Sequence, residues 1–371
     1  MGSGNLGADA SLLDLLHAPI LYMEGGNSDV AYANGVMDYA KDDNVLSAFA
    51  NHLTAGHVGD FGDLYGGSFA RMLTAWLDWQ LKGDAEQGEI FTESKVDEFP
   101  GWTVKAKDPQ KGWLNLPFYT MEVHTTNHSG NNLFGRLYVP YGGSEKKPLA
   151  ILAHGFNSSY REVEAYAETL AQVGIASYIF DFAGGAVESR SEGKSIDMSV
   201  FTEADDIAAI VEAAKEWHFI DSDRMALLGC SQGGLVAAIA SAQMPEAFKS
   251  LVLVYPALSI AEHAVSLHPK EAITSETGVP VMGLPLSHVY YDKLIGYDVF
   301  KEMPAYKGKV MIVYGDKDPV ADGDYIQRAE NAYDNCEINV VPDGAHGFPE
   351  SHTHVQANKH IVDFLTRTLL R

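Results

Sequence analysis

From about residue 117 onward the apolar positions follow two alternating rhythms. Stretches such as "LAILAHG" (149–155), "IASYIFDF" (175–182), "RMALLGC" (224–230), "SLVLVYP" (250–256), "KVMIVYG" (309–315) and "EINVVPD" (337–343) are apolar at most positions, and "NLFGRLYVP" (132–140) is strand-like too. They predict strands. Between them lie segments with apolar residues three and four apart. In "EADDIAAIVEAAKEWHF" the positions Ile207, Ile210, Val211, Ala214 and Trp217 share one helical stripe. "REVEAYAETLAQVG" and the closing "ANKHIVDFLTRTLL" have the same spacing. Apolar strands separated by helices predict an α/β fold: a doubly wound, mostly parallel sheet covered on both faces. Ligands of such sheets sit at the carboxyl ends of the strands.

The residues with chemistry collect at those ends. Gly229–Cys230–Ser231–Gln232–Gly233 fits G-x-S-x-G between a predicted strand and a predicted helix. That setting separates it from a glycine-rich turn with a capping serine: the small residues allow a sharp turn, and the turn lifts the Ser231 hydroxyl above the sheet. A serine needs a base to take its proton, and the base needs an acid to orient it. In chain order the acid is expected after the strand "MIVYG", where Asp318 is favoured over its rival Asp316. The base is expected after the last strand, as His346 of "VVPDGAHGF". An oxyanion hole is expected from the backbone N–H groups of Phe156 and Gln232, the latter opening a helix. His154 is read as holding its loop, and His352 and His354 as surface residues with no metal site.

Charge narrows the class of function. Lys and Arg number 26 against 50 Asp and Glu, a net charge of -24. That surface repels phosphate backbones and anionic lipid, so neither nucleic acid nor membrane is an expected partner. The cysteines, Cys230 and Cys336, make no disulfide framework and have no zinc spacing. No apolar run approaches the roughly 18 residues of a membrane span. The opening "MGSGNLGADA" lacks a basic stretch followed by an apolar one, so a cytoplasmic location is expected. No cofactor is called for.

With "AHGF", "DFAGGAVESRSEG", "GCSQGG", "YGDKDPV" and "GAHGF" in that order, residues 117–371 resemble an α/β-hydrolase of the bacterial cinnamoyl/feruloyl esterase type. The resemblance implies a small lid at about 257–305. Within it Leu284, Tyr290 and Tyr291, with Met282 and Leu286, would line a slot for an aromatic acyl group. It implies a serine ester hydrolase releasing ferulic or p-coumaric acid from plant cell-wall esters. The alternatives are a general short-chain carboxylesterase, an acetyl esterase or an acyl-peptide hydrolase, and in another class a non-catalytic scaffold. One position departs from the family: where relatives often carry histidine in "DF-x-G-H-G", this chain has Gly185.

The first hundred residues echo the last. "PILYMEGGNSDVAYANG" (19–35) reads like "VMIVYGDKDPVADGD" (310–324), and Asp29 precedes His57 by the same interval that separates Asp318 from His346. Residues 1–105 are therefore read as a partial α/β segment, the carboxyl-terminal portion of a second α/β-hydrolase lacking its nucleophile. On that reading Asp29 and His57 are relics, and residues 106–116 are a linker. Two strands with exposed edges are expected to dock on the hydrolase domain or to pair with a second copy as a homodimer.

Overall fold

The computed structural model describes residues 13, 16, 18–26, 28–42, 45–57, 59–92, 95–108, 112–113, 118–141 and 146–370. The chain divides into two compact units, residues 1–116 and 117–371.

The second unit is built on an eight-stranded sheet. Its elements in chain order are β5 (Phe118–Glu122), a short hairpin of β6 (Thr125–Thr126) and β7 (Asn132–Leu133), β8 (Gly135–Pro140), β9 (Lys147–Ala153), α4 (Glu164–Gln172), β10 (Ala176–Phe180), α5 (Val200–Lys215), β11 (Ile220–Cys230), α6 (Gln232–Gln243) and β12 (Ser250–Val254). An insertion follows, and then β15 (Lys309–Gly315), α10 (Gly323–Ala332), β16 (Cys336–Val341) and α11 (Ser351–Leu369) close the unit. The sheet order is β16-β15-β12-β11-β9-β10-β8-β5. The strands from β10 to β16 run parallel, and only β8 and β5 are antiparallel to their neighbours. Every residue of β9, β10 and β12 is buried, as strands covered on both faces must be.

The insertion between β12 and β15 contains α7 (Ile260–Leu267), the hairpin β13 (Val279–Val281)–β14 (Leu284–Leu286), α8 (His288–Asp292) and α9 (Val299–Glu302). It is tied to the body by polar bonds. Ser195 Oγ donates to the Pro285 carbonyl at 2.7 Å, and Asn157 Nδ2 donates to the Met282 carbonyl at 3.1 Å.

The first unit has its own sheet, in the order β1-β2-β3-β4. Its strands are β1 (Ile20–Glu24), β2 (Ser47–His52), β3 (Trp102–Asp108) and β4 (Gly112–Trp113), and its helices are α1 (Tyr32–Lys41), α2 (Gly67–Lys82) and α3 (Ala85–Thr92). This corrects the linker assigned to 106–116. The end of β3 and all of β4 fall there, β3 pairs antiparallel with β2, and β4 with β3. The sheet also covers both of its faces. Met23, Ala48 and Ala50 pack with Phe69, Met72, Trp76 and Phe91 of α2 and α3, whereas the alternate residues Tyr22 and Phe49 pack with Tyr39 of α1. Period-two alternation sends the two sets to opposite sides.

Candidate active site

The site begins at the end of β11, where Ser231 takes φ 51° and ψ -117° before α6 starts. That left-handed backbone explains the flanking residues. A Cβ on Gly229 would stand 2.0 Å from the Gly233 carbonyl oxygen, and one on Gly233 would stand 2.3 Å from that of His154. Larger residues at either position would push the turn apart. The turn presents Ser231 Oγ 2.9 Å from His346 Nε2.

His346 lies in the loop after β16, and its Nδ1 lies 2.8 Å from Asp318 Oδ2 and 3.0 Å from Oδ1. Asp318 follows β15 and its side chain is wholly buried. Burial alone would raise its pKa. The hydrogen bond from His346 and the N–H groups of Ala321 and Val320 overcome that and hold the carboxyl below its ordinary range. Asp316 points elsewhere, half-exposed beside Lys317. Ser231, His346 and Asp318, which follow the parallel strands β11, β16 and β15, thus form one hydrogen-bonded line along which a proton can pass from a hydroxyl to an imidazole steadied by a buried anion.

The other expected site residues fall into two groups. Gln232 opens α6, and its side chain is buried between two partners: Nε2 donates to Glu203 Oε2 at 2.9 Å, and Oε1 accepts from Tyr290 OH at 2.7 Å. Phe156 lies after β9, its ring 6.4 Å from that of Tyr290. These residues gather at the turn. Leu284 and Tyr291 are buried, and Tyr291 OH meets His268 Nδ1 at 2.8 Å. Met282 is exposed. His154 is fully buried: its Nδ1 meets the Gly155 carbonyl at 2.7 Å and its Nε2 accepts the Phe182 N–H at 3.2 Å. Burial lowers its pKa. His354 is not the surface residue expected, because its ring stacks on Tyr166 at 4.8 Å and burial lowers its pKa as well.

Several residues escaped the sequence reading. Glu162 accepts the Gly155 N–H at 2.7 Å, bracing the loop that holds Phe156, and takes the Tyr255 hydroxyl at 3.3 Å. Tyr255, at φ 36°, sets its ring edge-on to His346 at 5.1 Å. Glu203 is buried on α5, and burial, supported by the charge of Asp206, pushes its pKa up to about 8. A signal for Glu203 was present: it stands four residues before Ile207, on the same apolar stripe.

In unit 1, Asp29 and His57 also meet, with Oδ1 and Nδ1 2.6 Å apart.

Comparison with known proteins agrees with this geometry. A rat (Rattus norvegicus) monoglyceride lipase is 26% identical over 155 residues, covering 41% of this chain and 48% of its own. A rat acylamino-acid-releasing enzyme is 23% identical over 231 residues, 60% of this chain and 30% of its own. The matched stretches thus span half or less of these relatives. The ferulic-acid-bound structure of Est1E from Butyrivibrio proteoclasticus is similar at 26% identity and a TM-score of 0.60, covering 68% of this chain and all of that one. The sequence pattern of the prolyl oligopeptidase family matches residues 161–371, a stretch holding Ser231, Asp318 and His346. On that match, which takes in more than half of its residues, the chain belongs to the prolyl oligopeptidase family, built on the α/β-hydrolase fold.

Proposed function

We propose that the chain is a serine carboxylic-ester hydrolase working through an acyl-enzyme. The observation that carries this reading is the line Ser231 Oγ–His346 Nε2 at 2.9 Å and His346 Nδ1–Asp318 Oδ2 at 2.8 Å. His346 takes the hydroxyl proton as Oγ bonds to the acyl carbon, and the imidazolium is stabilised by Asp318. The proton then passes to the departing alkoxide. The N–H groups of Gln232 and Phe156 receive the carbonyl oxygen as it becomes negative, a contribution of about 100- to 1,000-fold per donor in such sites. Water repeats the sequence and frees the acid.

For the substrate we favour hydroxycinnamate esters such as those of ferulic and p-coumaric acid, on the likeness to the ferulic-acid-bound Est1E. Leu284, Tyr290 and Tyr291, expected to line an acyl slot, are each exposed by 1% or less. That observation favours a second reading, in which the acyl group is small. Rates on methyl ferulate and on p-nitrophenyl acetate separate the two: a higher kcat/KM for the ferulate supports the first, and turnover confined to acetate supports the second. Residues 1–105 fit the carboxyl-terminal portion of a second hydrolase, and we assign to that segment the pairing of two copies. Sedimentation of the full chain as a monomer would count against the pairing.

A further inference from the structure

Gly155 is the loosest joint in the loop that would supply one oxyanion donor. It lies against the nucleophile: a Cβ added there would stand 3.1 Å from Ser231 Cβ, so a larger residue would press on the serine. The close approach favours glycine, and glycine leaves the backbone free to turn. The Phe156 N–H shares one rigid peptide plane with the Gly155 carbonyl, so the two swing together.

Two side chains hold this joint, one on each side along the chain. His154 Nε2 accepts the Phe182 N–H at 3.2 Å, which leaves the ring proton on Nδ1, and Nδ1 donates to the Gly155 carbonyl at 2.7 Å. That bond fixes the peptide plane following Gly155. The plane preceding it is fixed by Glu162, whose Oε2 accepts the Gly155 N–H at 2.7 Å. Glu162 ends a single 3-10 turn, Tyr160–Glu162, which is anchored from elsewhere: the Tyr160 N–H donates to Asp181 Oδ1, just past β10, at 2.7 Å. The other carboxylate oxygen reaches toward the histidine. Oε1 accepts the Tyr255 hydroxyl at 3.3 Å, and the Tyr255 ring stands edge-on to His346 at 5.1 Å. Tyr255 is itself pinned beside the strands that lead to the reacting groups. Its N–H donates to the Val313 carbonyl of β15 at 2.7 Å, and the carbonyl of Val254, the residue before it, accepts the Ser231 N–H at 3.0 Å. Its φ of 36° is rare for a residue with a side chain and persists only where surrounding contacts fix it.

We infer that Glu162 is a positioning residue for the reaction proposed above: its carboxylate sets the Phe156 N–H to meet the oxyanion and, through Tyr255, keeps that donor in register with His346. The inference rests on the acyl-enzyme reading. Glu162 bonds to no reacting atom. Its effect falls on the tetrahedral state, in which the carbonyl oxygen has become negative, more than on the bound ester.

The test compares full-length wild type with Glu162→Ala, Glu162→Asp and Glu162→Gln. Two readouts are used: hydrolysis of p-nitrophenyl acetate, and inhibition by a trifluoromethyl ketone, which Ser231 attacks reversibly to form an oxyanion in the same place. Glu162→Ala removes the acceptor, so kcat should fall about 100-fold, the lower range for losing one oxyanion donor, with KM within a few-fold. Glu162→Asp withdraws the carboxylate by one methylene and should lose activity in the same direction. Glu162→Gln keeps an oxygen at the same reach and should recover most of the loss. The ketone separates positioning from folding. A poorly folded variant has fewer sites of unchanged affinity, whereas a displaced donor raises the inhibition constant in step with the fall in kcat/KM. Glu162→Asp keeps the charge and most of the packing, and carries the test where Glu162→Ala yields no soluble protein. Inhibition constants equal to wild type in the Asp and Ala variants overturn the inference and leave the ester reading standing. A wild type that neither turns over the ester nor binds the ketone overturns both.

Discussion

Replacing Glu203 by glutamine should flatten the pH dependence of stability. Glu203 is buried, accepts Gln232 Nε2 at 2.9 Å, and has its pKa pushed from an ordinary 4.5 up to about 8. The folded value lies above the unfolded one, which fixes the sign. Below about pH 4.5 the carboxyl is protonated in both states and costs nothing. As pH rises toward 8, the unfolded chain loses the proton while the folded chain keeps it, and stability drains away. At about 1.4 kcal/mol per unit of displacement, the folded state has lost at most about 5 kcal/mol by pH 9. Asp206 contributes to the same trend, its pKa being pushed up to about 6 chiefly by burial, so the wild-type curve keeps a slope without Glu203. Glutamine has the same shape and still offers an acceptor to Gln232, but never ionises. Urea titrations followed by circular dichroism from pH 5 to 9 should show wild type and Glu203→Gln close together at pH 5. The variant should be more stable by several kcal/mol at pH 9. A difference between the two proteins that does not change with pH would refute the reasoning.

Other expectations follow from single contacts. Asp318→Asn leaves the fold intact but removes the anion facing His346, so kcat on a p-nitrophenyl ester should fall about 10,000-fold. The same change at the half-exposed Asp316 should leave it within a few-fold. Tyr290→Phe deletes the donor to Gln232 Oε1. Leaving a buried acceptor unpaired costs about 1–3 kcal/mol, read as a lower unfolding midpoint, and the ratio of ferulate to acetate rates should shift if the insertion shapes the acyl site; a constant ratio would assign Tyr290 to structure alone. Gly233→Ala drives a methyl group to 2.3 Å from the His154 carbonyl oxygen, so soluble yield and turnover should both collapse, and a variant as active as wild type would contradict the close approach at this turn.

What the chain discloses in one dimension depends on how local the cause is. The strands of the hydrolase unit were legible because burial on both faces leaves unbroken apolar runs, as in β9 and β12. The Ser231 turn was legible because its steric demand falls on immediate neighbours. His346 and Asp318 could be placed because strand order carries each to the same end of the sheet. β3 was missed for a physical reason. Its residues Trp102, Val104 and Ala106 face inward, but Thr103, Lys105 and Lys107 alternate with them. The polar half of that period-two pattern reads as linker when composition is weighed before alternation. The link from Glu203 through Gln232 to Tyr290 joins residues 29 and 58 positions apart. No local rule carries such a contact, and only the folded insertion brings Tyr290 to the turn.

The central claim is that Ser231 is the group acylated in turnover. Its most direct test is the mass of the protein after exposure to a fluorophosphonate, which traps a serine activated by a neighbouring imidazole. The account predicts a single adduct on the peptide containing Ser231, lost in Ser231→Ala and strongly slowed in His346→Gln. An adduct on another residue, or ester hydrolysis at the wild-type rate by a Ser231→Ala protein that takes up no label, would contradict it.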